Sequence, residues 1–142
     1  MNKIDDLVPL LLDTLNNNKD FIMPVKGTSM LPFINEKNLV TLSKPNNIKK
    51  NDIVFYKRNN GQYVLHRIYQ IKKDYYALMG DNQTFKEEPI YSSQIIAKVK
   101  SIKKKNKIHY LKGFKYNLYL FFWHSRLIRK LLFPITRRFF ND

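Results

Sequence analysis

Ile53-Val54-Phe55-Tyr56-Lys57-Arg58-Asn59-Asn60-Gly61-Gln62-Tyr63-Val64-Leu65-His66-Arg67-Ile68-Tyr69 reads as a β-hairpin. A continuous β-branched and aromatic run, 53–56, is followed by a polar loop with Asn60-Gly61 at its tip. A second such run, 63–69, returns. Outward from this hairpin the same texture repeats. Leu39-Val40-Thr41-Leu42 is a short strand, Pro45-Asn46-Asn47 a turn and Lys50-Asn51-Asp52 a polar break. Lys72-Lys73-Asp74 turns into a strand over 75–79, which Gly80-Asp81-Asn82 ends. Ile95 to Ile102 is a further strand, 103–107 a basic turn, and 108–111 is placed to pair back. Many short strands with turn signals roughly every eight to twelve residues predict a mainly β, compact antiparallel fold.

Helices are expected at the two ends. Ile4, Leu7, Leu11 and Leu15 recur at helical spacing within residues 3–18, with Val8 and Leu12 widening the face. Pro9 falls inside that run and is tolerated at the first helical position, so the helix is expected to begin there. Phe21 to Val25 reads as extended. After Gly113, aromatics and bases interleave in a basic, helical tail that Pro134 breaks. The division expected is an N-terminal helix (1–20), a β domain (21–112) and a tail (113–142).

The 142 residues are enough for one domain with a real core. They include no cysteine, which removes disulfides, thiolate chemistry and zinc–thiolate sites. His66, His109 and His124 show no metal-ligand spacing; neither metal nor cofactor is expected. Twenty-six basic and 11 acidic residues give a net charge of +15, which calls for a polyanionic neighbour, nucleic acid or an anionic membrane face. Asp5, Asp6 and Asp13 interrupt the N-terminal apolar run, so no secretory signal is read. No window is apolar for the length of a spanning helix. A cytoplasmic location is expected.

The residues that could carry chemistry begin with Val25-Lys26-Gly27-Thr28-Ser29-Met30-Leu31-Pro32. Gly27 permits a sharp turn and Pro32 fixes the chain direction. Ser29 between them either makes a turn hydrogen bond or serves as a nucleophile. His66 has an ordinary pKa suited to a general base. Asp81, at a strand end, is a candidate third group to hold the imidazole tautomer. An imidazole at its ordinary pKa predicts a rate rising through roughly pH 6–8.

The serine stretch resembles the Gly-x-Ser-Met-x-Pro box of the S24/S26 serine peptidases, which include signal peptidases and self-cleaving repressors. Asn51-Asp52-Ile53-Val54-Phe55, Val64-Leu65-His66-Arg67-Ile68, Met79-Gly80-Asp81-Asn82 and Ile96-Ala97-Lys98-Val99 resemble the later boxes, in order, over roughly residues 21–102. His66-Arg67-Ile68 is similar to the histidine-type (endoplasmic-reticulum and archaeal) branch. The resemblance implies Ser29 as nucleophile, His66 as base and Asp81 as the acid of the Gly-Asp-Asn box. Glu87 lies near the position of a second acid, so either Asp81 or Glu87 orients His66. Gly27 stands where many signal peptidases have a serine, so the oxyanion hole would rest on backbone N–H groups of Ser29 and Thr28. Gly27, Met30, Pro32 and Gly80 are the structural residues of the motifs. The usual N-terminal membrane anchor is not matched by residues 1–20.

Three readings compete for residues 114–140: a helix packed on the body, a helix lying on anionic lipid, and nucleic-acid binding. The last is disfavoured, because no recognised nucleic-acid module is present. Trp123, Phe121, Phe122, Leu127, Leu131, Leu132 and Phe133 would supply apolar area; Arg126, Arg129, Lys130, Arg137 and Arg138 would supply charge. Taken together, a serine endopeptidase is expected, cutting an extended leader or precursor peptide through Ser29 and His66. Small side chains near the scissile bond are implied by the resemblance alone. A transporter or peptide-maturation protein is a candidate partner at the cytoplasmic membrane face. The alternative is a non-catalytic membrane-associated or repressor-like binding protein on the same fold.

Overall fold

The computed structural model describes residues 3–125 together with Arg129 and Leu131. An eight-stranded, wholly antiparallel sheet forms the body. Its strands are β1 (Phe21–Pro24), β2 (Leu39–Ser43), β3 (Ile53–Lys57), β4 (Tyr63–Ile71), β5 (Tyr76–Met79), β6 (Glu87–Ile90), β7 (Ile95–Lys104) and β8 (Lys107–Tyr110). They lie in the order β1-β2-β7-β3-β4-β5-β6, with β8 on β7. Helices α1 (Lys3–Asn16) and α2 (Phe114–His124) bracket the sheet in sequence. The mainly β fold with a helix at each end matches the expectation from sequence.

The β3–β4 hairpin forms as read. Gly61 takes φ +89°, and Arg58 N–H donates to Gln62 O at 2.7 Å to close the loop. Pairing is symmetric about Asn60, from Lys57↔Tyr63 to Ile53↔Arg67. β3 lies between β4 and β7 and is buried on both faces, which is why it reads as an unbroken apolar run. Its alternation feeds two cores. Ile53 and Phe55 join Leu11, Leu15, Ile34, Val40, Leu42 and Ile102 beneath α1. Val54 and Tyr56 join Ile68, Leu78, Ile90 and Ile95 on the other side.

One expectation is corrected and one strand is added. α1 starts at Lys3 and carries Pro9 in its interior. Val8, Leu11 and Leu15 bury one stripe, and that packing outweighs the backbone bond that proline cannot donate. Residues 87–90, to which the sequence assigned no element, form β6 and pair with β5, Tyr76↔Ile90 and Leu78↔Glu87. Pro89 is tolerated there because β6 is the sheet edge.

α2 is apolar on two sides, as a helix between two apolar environments is. Tyr116, Tyr119, Leu120 and Trp123 face the body, with Leu120 and Trp123 buried. Phe114, Leu118, Phe121 and Phe122 form an outward stripe, Phe114 being 82% and Phe121 71% exposed. The packed-helix reading therefore holds for the inner face of α2. Arg129, counted among the lipid-facing bases, is buried against the Trp123 ring and donates to Gln83 O at 3.1 Å. Arg126, Leu127, Lys130, Leu132, Phe133, Pro134, Arg137 and Arg138 lie outside the described residues. Among the described residues no helix is long and apolar enough to cross a membrane, and no cluster of His, Asp and Glu could hold a metal.

Candidate active site

The serine segment leaves β1, turns at Gly27 with φ +84°, and enters a tight turn over 29–33. The positive φ favours glycine there. Gly27 N–H donates to Glu36 Oε1 at 2.8 Å, which holds the turn from the far side of the loop. Met30 and Leu31 are buried and anchor the segment in the core; Ser29 itself is half-buried.

The Gly80-Asp81-Asn82 turn grips this segment from below. Asn82 N–H donates to Ser29 O at 2.9 Å, and its Nδ2 donates to Thr28 O at 3.1 Å. A Cβ on residue 80 would stand 2.5 Å from Ser29 O, so only glycine permits this approach. The two sequence-distant motifs thus form one backbone cradle. Among the described residues no hydrogen bond occupies the Ser29 hydroxyl or the N–H groups of Thr28 and Ser29. A hydroxyl and two donors are left free together, the raw material of a nucleophile and an oxyanion site.

Ser29 and His66 line the same open cleft of about 710 Å³, together with Met23, Val25, Met30, Phe55, Tyr63 and Leu65. No hydrogen bond joins Ser29 to His66 directly, as is common before substrate tightens a site. The imidazole is 1% exposed. Burial pushes its pKa down to about 4, against the opposing pull of Glu87. His66 is therefore neutral at pH 7, and its 3.7 Å approach to Glu87 is not an ion pair there. An imidazole buried in this way does not titrate through pH 6–8, the range expected from an ordinary histidine.

Strand alternation then separates the two candidate acids. His66 and Arg67 are consecutive in β4 and point to opposite faces. Arg67 takes the Asp81 carboxylate in a bidentate pair, Nε to Oδ1 and Nη2 to Oδ2, both at 2.8 Å. Tyr119 OH donates to the same Oδ2 at 2.7 Å. Rings of Phe33, Tyr116, Tyr119 and Trp123 surround the guanidinium at 5.0–5.8 Å. Asp81 is thus the clamp between β4 and α2, and not the hydrogen-bond partner of His66.

Glu87 is the acid on the His66 side. Tyr56 OH lies 3.1 Å from His66 Nδ1 and donates to Glu87 Oε2 at 2.7 Å. Arg58 grips the same carboxylate through Nε at 2.7 Å and Nη2 at 2.9 Å. Burial disfavours the charge on Glu87, but the bonds from Arg58 and Tyr56 outweigh it and hold its pKa below the usual carboxylate range. Burial, with Glu87 beside it, pushes the Tyr56 phenol far up, so it remains protonated. Tyr56, Arg58, Glu36 and Asn82 were not singled out from sequence. Hairpin register would have found Tyr56: Val54 is opposite His66, so Tyr56 is its diagonal neighbour.

The family model for S24-like peptidases matches residues 1–100. The chain belongs to the S24-like peptidase family. Among curated proteins none matches it. An S24-like chain has a fold suited to a serine peptidase or a repressor-type autoprotease, and the matched span contains Ser29, His66, Asp81 and Glu87. α2 lies beyond the matched residues, yet its Tyr119 and Trp123 close on Asp81 within them.

Proposed function

We propose that this S24-like protein is a serine endopeptidase of the histidine-type, signal-peptidase-like kind, acting on an extended leader or precursor peptide. The observation that carries the reading is the shared cleft: a half-buried, unpartnered serine hydroxyl on a glycine-gated turn, and a neutral imidazole in the same wall. Ser29 Oγ attacks the scissile carbonyl carbon while its proton passes to His66. The N–H groups of Ser29 and Thr28 face the oxyanion. The proton moves on to the leaving amine, and water releases the acyl group by the same route. The apolar lining of the cleft suits an extended, largely apolar peptide segment. Incubation with a fluorophosphonate probe should label the full chain at Ser29 and leave Ser29→Ala unlabelled. Cleavage of precursor peptides encoded beside the gene should follow the same pattern. Absence of both labelling and cleavage would replace this reading with a non-catalytic binding protein.

The same reading places the enzyme peripherally on an anionic membrane surface. The outward stripe Phe114, Leu118, Phe121 and Phe122 is exposed, and exposed Lys103, Lys105, Lys107, Lys112 and Lys115 flank it in the chain. No acidic residue occurs from Pro89 to Asn141. Apolar insertion and lysine attraction then act on the same leaflet. Truncation after Gly113 would strip Tyr119 from Asp81, so the test uses Phe114→Ser with Phe121→Ser. Vesicles containing anionic lipid should float the parent and at least fivefold less of the variant. Equal flotation of both proteins, binding to duplex DNA alone, or a stripe-dependent dimer without flotation would overturn it.

A further inference from the structure

We propose that Tyr56 is a positioning residue that fixes the tautomer of His66, resting on the reading of His66 as the base. A phenol has one proton to donate. At 2.7 Å from an ionised carboxylate already gripped by Arg58, that proton belongs to Glu87 Oε2. The Tyr56 oxygen then offers His66 only lone pairs, so His66 Nδ1, 3.1 Å away, must donate. The neutral imidazole is held as the Nδ1–H form, and the Nε2 lone pair is left for the serine proton.

The opposite tautomer meets a contradiction. With the proton on Nε2, a lone pair at Nδ1 faces the Tyr56 oxygen at 3.1 Å, with Glu87 Oε2 at 3.7 Å behind it. Turning the phenol proton toward His66 does not help. It sets the Tyr56 oxygen against Glu87 Oε2 at 2.7 Å with no hydrogen between them. Nor does Glu87 replace the phenol, because 3.7 Å is too long for a hydrogen bond. The carboxylate therefore orients the imidazole through an interposed hydroxyl. Such an arrangement sets the tautomer without bringing a full charge into contact with the ring, consistent with a base that stays neutral. Tyr56 reaches this place because it is fully buried in β3, one diagonal step from His66 across the β3–β4 pair.

The deciding readout is the position of the imidazole proton, with turnover beside it. Long-range ¹H–¹⁵N spectra of the full chain at pH 7 should show His66 Nδ1 protonated and Nε2 unprotonated. Tyr56→Phe keeps the ring and removes the acceptor. It should shift His66 toward a mixed or Nε2–H population and lower kcat about tenfold or more, with KM little changed. A parent spectrum dominated by Nε2–H overturns the proposal without any variant. So does an unchanged tautomer in a folded Tyr56→Phe protein. Failure of Ser29 to react with the probe, with Nδ1–H observed, would instead remove the peptidase reading and leave the tautomer assignment standing.

Discussion

β4 serves two arginine–carboxylate systems on its two faces, and they differ in how far water is excluded. Arg67 and Asp81 are fully sealed, each 0% exposed, and every carboxylate oxygen is used by a donor from β4 or α2. Arg58 and Glu87 remain 26% and 24% exposed at the sheet edge. A sealed bidentate pair must stay complete, because removing either half strands a charge without solvent. Its role is accordingly mechanical: it joins the β4–β5 side of the sheet to α2 and fixes the turn that cradles Ser29. The half-open pair is bonded in the same pattern, but its hydroxyl belongs to Tyr56, which also lies against His66 Nδ1 and so delivers the influence of Glu87 to the imidazole. Two similar ion pairs thus do different work because alternation along one strand gives them different neighbours.

The largest effect expected is at His66 itself. His66→Ala should lower cleavage about 10³-fold, within the range for loss of a general base, with circular dichroism unchanged. Activity within tenfold of the parent would remove His66 from the mechanism. The two acids should then part. Asp81→Asn leaves Arg67 buried beside a neutral amide and should cost about 3 kcal/mol of stability, lowering Tm by about 10 °C. Glu87→Gln should leave Tm within a few degrees and lower kcat about tenfold. Chemical denaturation and single-turnover rates on the same samples separate these outcomes. A stable but slow Asp81→Asn beside a fast Glu87→Gln would reverse the assignment.

The central strands and the Ser29 and His66 motifs were legible in the sequence, and the missing parts share a cause. The central strands announced themselves because β3 and β4 bury both faces or alternate strongly. β6 did not, since Glu87-Glu88-Pro89 has neither β-branched residues nor a free N–H at proline; it is a strand only because β5 offers an edge. With β6 unread, Glu87 had no fixed place. Ser29 and His66 could be named from type and motif, but the partner of Asp81 could not. The full set of partners includes α2, which folds back so that Tyr119 OH reaches Asp81, 38 residues earlier in the sequence. The alternation that sends His66 and Arg67 to opposite faces was already present in the strand pattern.

Gly80 tests how closely the sealed side governs the placement of Ser29. A methyl at this position would press on the Ser29 carbonyl, a backbone atom that cannot move aside without moving Ser29. Gly80→Ala should therefore lower kcat on the order of tenfold to a hundredfold, a loss expected for small misplacement of a reacting group. Its Tm should fall by less than that of Asp81→Asn. An active Gly80→Ala protein would uncouple the Gly80–Asn82 cradle from Ser29 positioning.

The smallest effect is the sharpest measure of the open side. His66 is depressed from its ordinary pKa to about 4, chiefly by burial; Glu87 and Asp81 pull upward, and Arg58 pushes down with the burial. The neutral base is then fully available at pH 6 and above. The kcat/KM profile should change less than about twofold between pH 6 and 8 and fall about tenfold per unit only below about pH 4. Stability follows the same sign. Unfolding restores an imidazole that binds protons near pH 6.5, so His66 contributes stability at neutral pH that is lost as pH falls from there through about 4. The full swing is about 3 kcal/mol. Glu87, held below its ordinary pKa, adds a loss in the same direction at lower pH. His66→Gln should flatten the upper part of that curve and leave the Glu87 part in place. A parent rate that climbs steeply from pH 6 to 8 would mean an imidazole exposed to water, and the contrast between the sealed and open faces of β4 would have to be redrawn.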